Sequence, residues 1–184
     1  MTFSSKKSSV SFTPSSGFSF IELLIVMAVM GIFVIGGIAA YGRFNARQLV
    51  ITAGKEMLVD LRQAQSKSLS NVKSVNGCQN SPLTGYQIDG TGSRYTVTEV
   101  YSTACATGGA SYVVKTVNLP AGVQFQSAFR LTFTGLSGGV TLVGAAPSTT
   151  ISFCNKNCQS GGLRYSITVT RQGLIQDVPV ADIP

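Results

Sequence analysis

Histidine and tryptophan are absent from this 184-residue chain, and only 11% of it is charged. Without histidine, no Ser-His-acid triad or Cys-His nucleophile pair can form within the chain. The acids beyond residue 22 (Glu56, Asp60, Asp89, Glu99, Asp177 and Asp182) are scattered and show no glycosidase-like pairing. No glycine-rich phosphate loop ending in Lys-Ser/Thr occurs. The expectation is a protein that is not an enzyme and carries no cofactor. Internal repeats and a long disordered linker are missing as well. One domain of roughly 110 residues, large enough for its own core, is expected beyond the N-terminal segments.

Charge is missing most completely from Leu23 to Ala40, which reads as a membrane-spanning helix. One carboxylate, Glu22, sits just inside its start. An ionised acid in hydrocarbon costs roughly 2.5–3.5 kcal/mol on insertion scales, so it persists where it has a designated partner. Upstream lies a Ser/Thr-rich leader with Lys6 and Lys7 that ends at Gly17. In a secretory signal the small-residue cleavage site follows the apolar region, which is then discarded. Here the small residue comes first, so cleavage after Gly17 retains the apolar helix. Loss of Lys6 and Lys7 takes the formal charge from +7 to +5. That mild excess permits binding to an anionic polymer without demanding it. Lys6 and Lys7 also follow the positive-inside tendency and place the C-terminal part outside the cytoplasm. Arg43 and Arg47 run against that tendency, and the cleavage signal decides.

The order Gly17-Phe18-Ser19-Phe20-Ile21-Glu22, followed by Leu-Leu-Ile-Val, resembles the type III signal of type IV prepilins and type II secretion pseudopilins. The resemblance implies a prepilin peptidase that cuts after Gly17 and methylates the new N-terminus at Phe18. Glu22 lies about one helical turn beyond Phe18, on the same face. By resemblance it neutralises the Phe18 amine of a neighbouring subunit as helices bundle into a filament. The implied partners are other pilin or pseudopilin subunits, the peptidase and the inner-membrane assembly platform. The implied location is a single-pass inner-membrane protein with an extracytoplasmic C-terminal domain, which enters a pilus or pseudopilus on assembly.

The helix is expected to continue past the span. After Tyr41, Val50, Met57, Leu58, Leu61 and Ala64 recur at helical spacing, while Lys55, Asp60, Arg62 and Lys67 take other faces. One continuous helix from about Phe18 to about Ser70, roughly 80 Å long, follows, with its end between Asn71 and Gly77. Gly31, Gly36, Gly37 and Gly42 suit either close packing of membrane helices or simple tolerance. Members of the resembled family often carry proline where this chain has Ala39.

Beyond residue 80 the pattern turns to β. Residues 94–101, 111–119, 129–134, 140–143, 149–153 and 163–170 are rich in β-branched and aromatic side chains. Gly92, Gly108-Gly109, Gly138-Gly139 and Gly161-Gly162 separate them, which suggests antiparallel hairpins with one face laid on the helix. The expected class is α+β and pilin-like: a long N-terminal helix, transmembrane in its first half, packed on a C-terminal antiparallel β-sheet domain. Its segments are a cleaved leader (1–17), the transmembrane and assembly half of the helix (18–42), the amphipathic half (43–70) and a disulfide-containing β-rich domain (71–184).

All four cysteines, Cys78, Cys105, Cys154 and Cys158, fall in that last segment. An even count outside the membrane points to disulfides in an oxidising compartment. Of three pairings, Cys78–Cys105 with Cys154–Cys158 closes local loops and would contribute about 3.5 and about 2 kcal/mol by loop entropy. The rival for Cys154-Asn-Lys-Asn-Cys158 is half a zinc site. No histidine is available to complete one, so no metal is expected.

Two stretches carry a narrower resemblance to the H-type pseudopilin and FimT/FimU minor pilin branch. Asp60-Leu-Arg-Gln-Ala-Gln-Ser66 is similar to its helix motif, in which a leucine and an alanine face the sheet. Leu131–Gly138 and Ile167–Gly173 are similar to its paired strand-then-glycine turns. In DNA-binding members a basic motif follows the last such glycine; here Leu-Ile-Gln-Asp-Val-Pro follows Gly173. The alternative function is a DNA-capturing minor pilin for uptake. Its phosphate contacts would come from Arg94, Lys115, Arg130, Lys156, Arg164 and Arg171, which otherwise read as separate solvated positions.

Overall fold

The computed structural model describes residues 19–183, except 76, 106–108, 138, 143–145, 156–157 and 161; for 34–40, 105 and 179 it describes the backbone alone. The expected leader, Gly17 and Phe18, and Lys156, Gly108, Gly138 and Gly161 therefore lie outside the described residues. One helix, α1 (Phe20–Leu69), is followed by nine strands. The chain divides into two compact units, Met1–Tyr41 and Gly42–Pro184.

In the first unit, Ser19 opens the helix. Its carbonyl accepts the N–H groups of Glu22 (3.0 Å) and Leu23 (3.2 Å), as a residue flanking a helix start does. Every described side chain from Phe20 to Phe33 is exposed. Among the described residues no helix is long and apolar enough to cross a membrane. The side chains of 34–40, which belong to the expected span, are not among them.

In the second unit, the helix buries the stripe read from the sequence. Val50, Met57 and Leu61 are fully buried, and Ala53, Leu58, Ala64 and Ser68 join them. Burial of each large apolar side chain stabilises by about 1.5–3 kcal/mol. The helix ends in a Schellman arrangement. Asn71 takes a left-handed backbone (φ 49°), Val72 N donates to Lys67 O, and Asn71 N donates to Ser68 O. Asparagine tolerates that conformation better than most residues, so the helix stops where the sequence places its end.

The strands are β1 (Leu83–Thr91), β2 (Arg94–Cys105), β3 (Gly109–Asn118), β4 (Val123–Phe125), β5 (Phe129–Thr134), β6 (Val140–Leu142), β7 (Ser148–Asn155), β8 (Leu163–Thr170) and β9 (Ile175–Asp182). They form two sheets rather than one, ordered β3-β2-β1-β5-β6 and β4-β7-β8-β9. All pairings are antiparallel. The inner faces supply Tyr86, Ile88, Leu131 and Phe133 from the first sheet and Ile151, Phe153, Tyr165 and Ile167 from the second.

Both sheets hold the helix. A Cβ on Gly54 would lie 2.2 Å from the Tyr165 ring, so only glycine allows that approach. Ser68 Oγ donates to Phe133 O (2.8 Å), and Gln65 Nε2 donates to Gly173 O (2.8 Å). The molecule is thus α+β, an N-terminal helix packed on an antiparallel β domain.

Candidate functional site

The first unit carries a carboxylate at the head of an apolar stripe. Ile25, Val26, Val29, Met30 and Phe33 line one hollow on the helix. They stand three, four, seven, eight and eleven residues after Glu22, so the acid shares their face. Glu22 lies in the first turn, where the positive end of the helix dipole favours an anion. It is exposed, and the sequence offers no basic residue between Ser19 and Gly42 to pair with it. Gly17 and Phe18, expected to supply the processed terminus, lie outside the described residues.

The second unit holds two acid clusters that the sequence reading missed. Asp60 was expected on the helix's polar face, yet it is only 6% exposed. It accepts bonds from Tyr95 Oη (2.6 Å) and Lys115 Nζ (2.8 Å). The available signal was spacing. Asp60 stands seven residues after Ala53 and four before Ala64, on the buried stripe itself. Glu99 is fully buried. Its Oε1 accepts from Ser74 N (2.7 Å) and Tyr86 Oη (2.8 Å), and its Oε2 from Ser74 Oγ (3.1 Å) and Tyr101 Oη. Tyr95, Val97, Glu99 and Tyr101 alternate along β2, which puts the acid on the inward face.

Burial, reinforced by hydrogen bonds to these carboxylates, raises the tyrosine hydroxyls' pKa values. Tyr86 and Tyr95 are raised well above the ordinary range, and Tyr101 is pushed up to about 12. Tyr165, buried and bonded to Asp177 (2.9 Å), is likewise pushed up to about 12. Both acids spend their oxygens on holding segments together. Glu99 ties the 72–78 loop to β2, and Asp60 ties the helix to β2 and β3.

Cys154 and Cys158 are joined by a disulfide. Cys78 is also disulfide-bonded, while the Cys105 side chain in its expected pairing lies outside the described residues. Among the described residues no group of three or more Cys, Asp or Glu could hold a metal ion.

Lys156 lies outside the described residues, and the other five basic positions are spread over both sheets, with Arg94, Lys115 and Arg130 in one and Arg164, with Arg171 just beyond its strand, in the other. Lys115 is committed to Asp60 and Arg130 to Asp89. Arg171 Nε donates to Ala146 O (2.9 Å), and Arg164 sits half-buried on β8 in the other sheet from Arg94.

A family model for the prokaryotic N-terminal methylation motif matches residues 13–38. The match spans Gly17, Phe18, Glu22 and the apolar stripe, and it supports a type IV pilin-like subunit made as a prepilin. No curated protein and no solved structure matches this chain.

Proposed function

We propose that this chain is a minor pilin or pseudopilin, processed after Gly17, methylated at Phe18 and assembled through its N-terminal helix. The observation that carries this reading is the lone exposed Glu22 at the head of an exposed apolar stripe, inside the matched methylation motif. A carboxylate with no basic neighbour on its own helix is suited to the terminal amine of an adjacent subunit. The apolar stripe below it is suited to lipid before assembly and to neighbouring helices afterwards.

Two buried side chains and two hydrogen bonds support the narrower H-type reading. Leu61 and Ala64 of the helix motif are buried beneath the sheets. Both glycine turns reach the same end of the helix, because Leu136 N donates to Ser68 O (3.4 Å) and Gly173 O accepts from Gln65. The commitment of Lys115 and Arg130 to carboxylates favours a structural subunit over a DNA-capturing one.

Mass spectrometry of the protein recovered from its native membrane tests the reading. The expected product begins at Phe18 and carries one methyl group on its amine. An intact leader, or a start beyond the apolar stretch, would overturn it.

A further inference from the structure

Two sheets leave four edge strands, β3 and β6 in one and β4 and β9 in the other, and the chain closes three of them. Strand β4 has only three residues, and its Phe125 N donates away from β7 to Gly92 O (2.8 Å). Strand β6 is equally short, and its Val140 N donates to Arg171 O (2.9 Å). Strand β9 carries Pro179, and its register with β8 shifts there. Short length, a covering bond and proline are ordinary means by which a sheet avoids pairing with other chains.

Strand β3 has none of these. It runs for ten residues without proline and pairs only with β2. Leu119 N donates to Ser93 O (2.7 Å), which fixes the alternation of the ladder. Val117 and Lys115 turn their backbone groups toward β2, and Asn118 and Thr116 turn theirs outward. Val114 is the extra residue of a bulge, because Val97 pairs with Lys115 and Thr98 with Val113. Past that bulge Val113 and Ser111 again face outward. The side chains of Ser111, Val113, Thr116 and Asn118 are all exposed, Val113 at 53%. Among the described residues no backbone bond from elsewhere in the chain reaches this outer side.

The edge offers backbone groups and apolar surface, and little else. Its one charge, Lys115, is held by the buried Asp60 (2.8 Å). Tyr112 and Val114 are half-buried against the core and leave part of their surface uncovered.

We infer that the outer edge of β3 receives an extended strand of another protein, apolar at alternate positions. The strand's backbone supplies partners for the outward N–H and C=O groups, and its apolar side chains cover Tyr112 and Val114. A second copy of this chain does not fit. Its other edges are closed, so it could offer only its own β3. Antiparallel pairing of two β3 strands places a two-fold axis normal to the sheet, which reverses the part of α1 packed on it. Subunits that share one membrane and one filament run in a single direction, so this exclusion rests on the assembly role proposed above.

The test uses the full chain in detergent and follows its backbone amides by NMR hydrogen exchange. The probe is a short peptide of alternating threonine and valine with a lysine at each end. The comparison peptide is N-methylated at every amide and has no donor to offer. In the free chain the Ser111, Val113, Thr116 and Asn118 amides should exchange fast, and those of Lys115 and Val117 slowly. The probe is expected to bind with a Kd on the order of 0.1–1 mM and to slow exchange at the four outward amides. Thr116→Pro removes one outward donor and should weaken binding about ten-fold. Val113→Lys keeps every backbone group, leaves the thermal transition unchanged and should weaken binding about three-fold by setting a charge on the edge. No binding at about 5 mM, equal binding of the N-methylated peptide, or undiminished binding by both variants would overturn the assignment. So would outward amides already protected in the free chain, or protected with a dimer mass in sedimentation, which would make a second copy the occupant. None of these readouts involves processing at Gly17, so failure here is distinct from failure of the assembly reading.

Discussion

The two stretches of α1 are both rich in apolar residues and meet opposite surroundings. From Phe20 to Phe33 every described side chain is exposed, including Phe20 at 78% and Phe33 at 75%. From Val50 to Ser68 one face is closed, and Val50, Met57 and Leu61 reach 0%. The same contrast holds for their acids. Glu22 stands exposed with no basic neighbour on its helix, whereas Asp60 is enclosed by Tyr95 and Lys115. The lesson is that the second stretch finds its complement within the β domain, while the first keeps its described apolar side chains exposed.

The largest effect that sharpens this contrast is on assembly. Under the proposed assembly role, Glu22→Ala would leave a neighbour's amine without a counter-charge and should lower recovery in sheared filaments by about 100-fold, with the membrane fraction unchanged. Glu56→Ala removes a half-exposed acid 3.8 Å from Lys115 and should alter neither quantity. Equal recovery of the two variants would erase the distinction between the stretches.

Stability should respond in the opposite sense. Asp60→Ala strands the Tyr95 hydroxyl and Lys115 and is expected to destabilise the β domain by about 2–3 kcal/mol. Tyr95→Phe should cost only about 1 kcal/mol. Urea midpoints measure both, and an unchanged midpoint for Asp60→Ala would mean that the buried contact contributes nothing.

Glycines give a finer comparison. Gly54→Ala gains helix propensity but drives a methyl group into the Tyr165 ring, with an expected net loss of about 1–2 kcal/mol. Gly31→Ala meets nothing within 4 Å and should raise helix stability by up to about 1 kcal/mol. Circular dichroism during denaturation in detergent separates the two.

Alkaline pH acts on the second stretch through its tyrosines. Tyr101 and Tyr165 are pushed from the ordinary value of 10.0 up to about 12, so the folded state holds their protons more tightly than the unfolded one. Their contribution is complete below pH 10 and is lost as pH climbs toward about 12. The melting temperature should therefore hold through neutral pH and fall from about pH 10 upward. Tyr101→Phe should flatten that fall. The smallest change expected is a gain. Leu136 is 77% exposed with φ 63°, and Leu136→Gly should stabilise by about 0.5–1 kcal/mol, read from the same melts.

The helix was legible because its evidence is periodic. Val50, Met57, Leu61 and Ala64 mark a buried face, and Asn71 supplies a residue able to cap the end. Strands β5 and β8 were equally plain, since Phe129–Thr134 and Leu163–Thr170 carry alternating β-branched residues. Strand β1 was hidden by its own glycines. Gly85 and Gly90 look like breaks, yet a Cβ at Gly85 would stand 2.0 Å from Phe133 O, so they mark close approach within a sheet. Strand β9 was masked by Pro179, which is tolerated because β9 is an edge strand and its register with β8 shifts there. Strand β4, at three residues, is too short to show a period. The division into two sheets depends on which strands pair, a long-range property that local pattern does not carry. At the N-terminus Glu22 was legible from composition alone, as the one charge in an apolar run. Asp60 and Glu99 were not, because polar identity outweighed their positions on buried faces.

The order in which the chain visits its two sheets has its own consequence. Strands β1 to β3 lie in one, β4 in the other, β5 and β6 return, and β7 to β9 cross again. Neither layer is a contiguous piece of polypeptide, so neither can be completed while the other is missing. A chain interrupted anywhere before Gly173 also lacks the carbonyl that Gln65 grips. Such interlacing favours all-or-none maturation, in which truncated translation products stay open to proteolysis and only full-length chains close.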